Sequence, residues 1–423
     1  MFFFILLYLV LVLVRPQDYP ALVDSGIPML PIVLMIAFVF WLPSRNKHLS
    51  PPQYVLLGLF LVVLMLSQIV NGWFGGALIQ LESFGPTVLA FTVLAHAAVD
   101  LGRVRKTMLV FVLSGVILAI HGIDQVSQGV GWTGVGLSQE TRIQYLGIFN
   151  DPNDLGLLFI ITLPMALFLA SRGGWLGLRR LFWWGAAGVL VYGIYLTASR
   201  GALLAIVAIA AVWLWQRRGL IMAGMLGAGM LGGLLMLPSR MANIDASESS
   251  AAGRVDAWYA GLEMFLANPL FGVGPLQFAD NNANLTAHNS FVLVLAETGI
   301  IGLTIWLAFV IYGFRMVMAV IKHQPELDGE QAIAEWKTER SLATTLLLSQ
   351  VGFYSAAFFL SRSYVILLYL LAALVLGYYT GACRRYPGLP RFDLARDILR
   401  WPLVAAACTF GLYVIVKLLL VTM

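Results

Sequence analysis

The chain has 423 residues, of which 60% are hydrophobic and only 11% charged, with a mean hydropathy of +0.86. A soluble domain needs far more charge to cover its surface, so this is the composition of a membrane protein. Two cysteines, Cys383 and Cys408, exclude a disulfide framework and a multi-cysteine metal site; the net charge of +5 suggests nucleic acid only until the charges are mapped.

Apolar runs long enough to cross a bilayer, or nearly so, fall near 2–14, 27–42, 53–70, 84–99, 107–124, 155–170, 182–198, 201–216, 220–237, 290–314, 341–360, 364–382 and 401–421. The first, MFFFILLYLVLVLV, has no basic flank and no small-residue cleavage site, so it is read as a retained span. The break at SRG (199–201) is either a tight turn or a kink. The expected fold is an all-α polytopic membrane protein with about 12–14 transmembrane helices in one integral domain over 1–423. With the N-terminus in the cytoplasm, all but seven of the 26 basic residues fall in loops on one side, as the positive-inside rule requires. The positive charge therefore records topology, and nucleic acid loses its support as a partner. Arg15, Arg142, Arg200, Arg240, Arg254, Arg362 and Lys417 stand on the other side. A cation kept there against the rule needs a partner or a role.

Two outer segments are long. The first, 125–154, is rich in glycine and polar residues and ends in RIQYLGIFNDPND. NDPND resembles a carboxylate metal site, but a helix cap explains it better: Asp151 at the N-cap, Pro152 at the first position and Asp154 at the third. His121 and Asp124, one turn apart, are close enough in sequence to touch. The second segment, 238–289, is the largest hydrophilic insertion and is expected to form a large outer loop, on the side that the resemblance below makes periplasmic. Within it Val255, Trp258, Tyr259, Leu262, Phe265 and Leu266 repeat at helical spacing, which predicts an amphipathic helix over 254–267 lying at the membrane surface. Asn268-Pro269 ends it. Arg254 would sit in its first turn, where the helix dipole disfavours a cation, so it is expected to face something anionic.

The sequence AHNSFVLVLAETGIIG (287–302) opens the next span. Asn289 is a good N-cap; His288 is either a polar loop residue beside it or a base, since neutral imidazole can accept a hydroxyl proton. Gly299 and Gly302 predict close packing by a neighbouring helix, holding the histidine on a rigid element. Arg200, in LTASRGALLA, either snorkels to headgroups or offers a guanidinium fork to a diphosphate. Arg142 and Arg362 are weaker candidates for the same task, and Arg362 reads equally as a plain loop residue. No HExxH, P-loop, dinucleotide fingerprint or repeated DxD occurs, so neither metal nor cofactor is expected.

His288-Asn289, nine residues, Gly299, two residues and Gly302 resembles the signature of the O-antigen ligase and O-antigen polymerase superfamily. LTASRGALLAI (196–206), GRVDAWYAGLEMFLANPLFGVGPLQF (253–278) and FNDPNDLG (149–156) resemble further stretches of these proteins, and the firm likeness covers 196–320. The resemblance implies a metal-independent glycosyltransferase with a multi-helix, GT-C-like fold in the bacterial inner membrane. Its donor would be a saccharide on undecaprenyl diphosphate at the periplasmic side, and its acceptor a glycan or lipid A–core. Carried over, Arg200 and Arg254 would grip the diphosphate and His288 would deprotonate or orient the acceptor hydroxyl, with Arg142, Asn289 and Arg362 as binding residues. Single displacement would invert the anomeric centre. Ligase, polymerase and protein O-glycosyltransferase share the motif, and ligase is the first expectation. A transporter or flippase predicts charges at the bilayer midplane and inverted repeats, and neither is evident. A non-catalytic assembly partner is the third class. Neither the oligomeric state nor the sugar is legible.

Overall fold

Inside a bilayer an exposed peptide group has no water to pair with, so a chain this apolar can cross only as helices or a closed barrel. The computed structural model describes residues 1–23, 26–44, 47–171, 177–236 and 251–422, and these are all-α, with isolated bridges at Val130–Gly136 and Ser138–Arg142. The helices are α1 (Phe2–Leu13), α2 (Pro20–Val23), α3 (Met29–Trp41), α4 (Pro52–Val70), α5 (Phe74–Ala97), α6 (Leu101–Gln128), α7 (Pro152–Ala170) and α8 (Leu178–Thr197). They continue as α9 (Arg200–Arg218), α10 (Leu220–Met236), α11 (Ala251–Ala267), α12 (Ser290–Lys322), α13 (Glu330–Ala357), α14 (Ile366–Arg385), α15 (Leu394–Asp397) and α16 (Arg400–Thr422). Among the described residues, each apolar run read from sequence corresponds to a helix. Eight helices among the described residues, α4, α5, α6, α7, α9, α12, α14 and α16, are long and apolar enough to cross a membrane. α1 and α3 are too short for that criterion at 12 and 13 residues, while α8 and α13 begin in charged stretches. The SRG break is a tight turn: Ala198 is left-handed and the Ser199 side chain caps α9.

α7 is the central post. Every residue from Asp154 to Ala166 is buried, and α6, α8, α9 and α13 pack around it. A helix apolar on all sides belongs inside a bundle. Two close approaches seat it: Gly156 lies against Thr197 and Ala202, and Ser349 of α13 donates to the Ile161 carbonyl at 2.7 Å.

α12 departs from the expectation. It is broken at Gly299, whose backbone is left-handed with φ 64° and ψ −165°. Residues 269–274 enter the break and complete its backbone pairing. Val273 N donates to Ala296 O at 2.9 Å, Gly274 N to Glu297 O at 3.0 Å, and Ile300 N to Pro269 O at 2.9 Å. α4 closes the other side: Ser67 Oγ lies 2.5 Å from Phe271 O and 2.8 Å from Glu297 O, and Gln68 and Asn71 donate to Pro275 O and Gly272 O. The two signature glycines therefore do not admit a neighbouring helix, as the spacing suggested. Gly299 supplies the turn, and Gly302 leaves room for the Thr298 side chain folded back onto it. Unpaired peptide groups inside a span would cost several kcal/mol each, so the inserted loop is what makes the break tolerable.

The amphipathic helix is α11, and residues 268–289 follow it as an irregular stretch; residues 238–250 of the expected loop lie outside the described residues. Its apolar face meets protein rather than only a membrane surface. Val255, Trp258 and Leu262 are buried against neighbours that include α12, α16 and the turn after α13, whereas Leu266 is exposed.

A Gly299→Ala substitution would place a Cβ on the backbone of Leu270 and Phe271 at a φ that side chains avoid, so we expect it to cost roughly 2–4 kcal/mol. Gly411→Ala, on α16 where a Cβ meets nothing, should be nearly silent. Fluorescence-detected size exclusion of heated, detergent-solubilised protein would compare them; equal melting would contradict this account of the break.

Candidate functional site

The turn 358–365, between α13 and α14, ties together segments that are remote in the chain. It begins at α7. Asp151 caps that helix, its carboxylate accepting from Asn153 N at 2.7 Å, with Pro152 in the first turn. Asp154 does more than favour the helix dipole. It forms a two-point ion pair with Arg362, Nε to Oδ1 and Nη2 to Oδ2 at 2.8 Å, and Asp151 Oδ2 lies 3.7 Å behind. Burial opposes the charge on Arg362, but the Asp154 and Asp151 carboxylates outweigh it and raise its pKa above the ordinary value. Arg362 is thus no plain loop residue.

The start of α12 is stitched to the same turn. Asn289 is its N-cap, the amide oxygen accepting from Phe291 N at 2.8 Å and Val292 N at 3.1 Å. Ser290 Oγ donates to Leu360 O at 2.6 Å and accepts from Arg362 N at 2.9 Å, while Ser363 Oγ donates to Ser290 O at 2.8 Å. Among the described residues Asn289 Nδ2 is buried without a hydrogen-bond partner, so the cap leaves one donor uncommitted. His288 precedes this buried pair, half-buried, in a left-handed conformation with φ 47°. Such a backbone in a non-glycine residue is sparsely populated and is worth a functional question.

The two remaining arginines flank the same turn. Arg200 is the first residue of α9, exposed, and a Cβ on its neighbour Gly201 would lie 3.7 Å from Ala356 O near the end of α13 and from Phe359 Cβ in the turn, so α9 begins against that turn. Arg254 stands one helical turn before Trp258, which packs edge-on against Phe358 with ring centroids 5.5 Å apart. Phe291 of α12 reaches the same Phe358 ring at 6.2 Å. Elements carrying Arg200, Arg254 and His288 therefore share one anchor.

Arg142 sits deeper. It is 3% exposed, with Nε donating to Thr197 O at 2.9 Å and Nη2 to Asn153 Oδ1 at 3.2 Å, which pins the end of α8 to the start of α7. Gln125 fixes the loop that delivers it, donating to Val135 O and Gly136 O and accepting from Gln144 N. The suggested His121–Asp124 contact is replaced: Asp124 accepts from Trp132 Nε1 at 2.7 Å, and the buried His121 ring packs edge-on against Trp132 and Tyr145.

Three polar groups escaped the sequence reading. Asp154 passed as a capping acid, although a carboxylate one turn into an apolar helix, opposite an arginine kept against the charge rule, is a signal for an ion pair. Ser290 gave no signal. Glu297 is 2% exposed at the α12 break, where Oε1 accepts from Phe278 N at 3.2 Å. Among the described residues no group of three His, Cys, Asp or Glu is placed to hold a metal ion.

Removing one partner of a buried ion pair strands the other charge, so Asp154→Asn and Arg362→Gln should each cost roughly 3–5 kcal/mol. The double variant should lose clearly less than their sum. Melting of all three variants would check this, and strict additivity would mean that the pair is not coupled.

With the geometry in place, comparison with known proteins is informative. No curated protein matches the chain. Residues 185–307 match a family model described as O-antigen ligase. The matched stretch runs from within α8 into α12 past its break, taking in Arg200, Arg254, His288, Asn289, Gly299 and Gly302, whereas Arg142, Asp154 and Arg362 lie outside it. This segment, under a third of the chain, is similar to the O-antigen ligase family, which supports the resemblance seen around His288-Asn289.

Proposed function

We propose that the protein transfers a saccharide from an undecaprenyl-diphosphate-linked donor to an acceptor hydroxyl, at the periplasmic face of the bacterial inner membrane, as a ligase-type glycosyltransferase of surface polysaccharide assembly. One observation carries the reading: Arg200, Arg254 and His288, all within the matched segment, ride on three elements anchored to one turn. That arrangement suits a reaction in which a diphosphate leaves and a hydroxyl attacks.

Each group then has a task. Arg200 and Arg254 bind the diphosphate and stabilise the charge that develops on it as the glycosidic oxygen departs. His288 takes the acceptor proton or orients the hydroxyl, and attack from the opposite face inverts the anomeric carbon without a metal. Asn289 Nδ2 offers a donor to the substrate. Arg142 and Arg362 act differently from the first expectation. Their guanidinium groups are engaged by Thr197, Asn153 and Asp154, so they hold the site together, with any contact to substrate secondary.

The second reading is a polymerase extending one lipid-linked glycan with another; FNDPNDLG, which resembles a stretch of this superfamily outside the matched segment, tempers the ligase preference. A transporter is disfavoured because the candidate arginines stand at helix ends rather than mid-span.

Purified protein in nanodiscs with radiolabelled undecaprenyl-diphosphate oligosaccharide, with and without lipid A–core, separates the readings. Transfer to the core marks a ligase, and lengthening without core sinks that form. His288→Ala should slow transfer by about 10²–10⁴-fold, the usual reach of a general base. Arg254→Ala should cost at least about 10²-fold through the lost electrostatic contact. Full transfer by both folded variants would remove the catalytic assignment.

A further inference from the structure

At the end of the bundle opposite the candidate site, a cavity of about 580 Å³ opens between the start of α1, the α5–α6 connection and the end of α14. Its polar lining includes Ser44, His96, Asp100, Arg103, Arg384 and Arg385. The positive-inside rule explains why arginines gather at this end, but not why they line one concavity.

The charges do not cancel within it. Arg385 is committed: its Nε lies 2.5 Å from Oε1 of the buried Glu339, and its Nη1 donates to Val99 O at 3.3 Å. Among the described residues neither Arg103 nor Arg384 makes an ion pair, and Asp100 is the one carboxylate in the lining. Two guanidinium groups against one carboxylate, with the Met1 amino group near Arg103 in the same lining, leave the cavity net positive. The field is felt nearby, since burial and then the Arg384 charge lower the His48 pKa.

An apolar flank adjoins the cationic cavity. Arg103 lies over the Phe2 ring, its guanidinium carbon 5.4 Å from the centroid; Phe3 beside it is 69% exposed. Phe4 stacks on Phe40 of α3 at 5.4 Å, and Phe40 is itself exposed. A phosphate held between arginines with a hydrocarbon chain laid along aromatic rings is the shape of an anionic amphiphile.

We propose that this cavity binds a singly charged phosphate ester, the phosphodiester headgroup of an anionic phospholipid, through Arg103 and Arg384, with an acyl chain against Phe3 and Phe40. The site is separate from the glycan-transfer reading and stands without it. Basic pockets at a helix-bundle end gain affinity from each cation near the headgroup.

The test uses full-length protein in nanodiscs and native mass spectrometry of the lipid that stays bound. Wild type should retain phosphatidylglycerol over phosphatidylcholine. An Arg103→Gln/Arg384→Gln variant should bind phosphatidylglycerol roughly 30-fold more weakly, from about 1 kcal/mol per cation. Arg103→Lys/Arg384→Lys should keep most of the preference, which separates lost charge from lost folding. Glycerophosphoglycerol, the soluble phosphodiester of the same headgroup, supplies the second arm: thermal stabilisation of wild type but not of the Gln variant, without lipid retention, assigns the same site to a soluble phosphodiester. If the folded Gln variant and wild type do not differ towards either ligand, the proposal fails.

Discussion

The ion pair between Asp154 and Arg362 is the contact on which the rest of the candidate site depends. Asp154 is fixed to the most buried helix of the bundle, and Arg362 stands in the turn that α9, α11 and α12 all touch. A carboxylate in such surroundings cannot stay charged alone, and a guanidinium beside it gains little from water. Each therefore fixes the other, and their planar two-point match fixes orientation as well as distance. The backbone of the same turn then receives Ser290, so the pair also sets where α12 begins, two residues after His288. Charge is used here for positioning, at a point where apolar packing alone would leave the turn free to slide.

A second constraint comes from peptide groups. α12 cannot bend at Gly299 unless other partners take over the hydrogen bonds it gives up. The 269–274 stretch and Ser67 of α4 provide them, while Gln68 and Asn71, at the same end of α4, hold the inserted loop in place through the Pro275 and Gly272 carbonyls. Glu297 belongs to the same accounting, its carboxylate receiving a backbone N–H from the irregular stretch that follows α11. The buried polar groups around the break, Ser67, Gln68 and Glu297, are thus explained as partners of irregular backbone.

Much of this was legible in the sequence because it rests on local rules. The apolar runs mark the helices, since a bilayer enforces their length. The cap at Asp151-Pro152 and the cap at Asn289 follow from residue type and spacing, and the resemblance around His288 finds the segment that the family model also matches. What escaped depends on contacts remote in the chain. Asp154 meets Arg362 across 208 residues, and Ser67 meets Glu297 across 230. Nothing adjacent to either residue announces its partner. The glycine pair misled for a related reason: small residues three apart suit both helix packing and a helix break, and only the loop lying in the break decides between them.

The inserted loop also bears on how the chain is assembled. The upper part of α12, residues 290–298, has its own hydrogen-bond ladder cut short at Gly299, so it cannot settle as an independent span. Its missing partners arrive from both directions, the 269–274 stretch made just before it and α4 made long before. Contacts of such sequence separation form slowly, because the chain must first lose the entropy of a long loop. The bend of α12 is therefore complete only when α4 and the 269–274 stretch are both in place. Maturation of the site is thus tied to the completion of the whole bundle: an intermediate that has inserted every helix but not yet docked this loop would have its spans and still lack a properly placed His288.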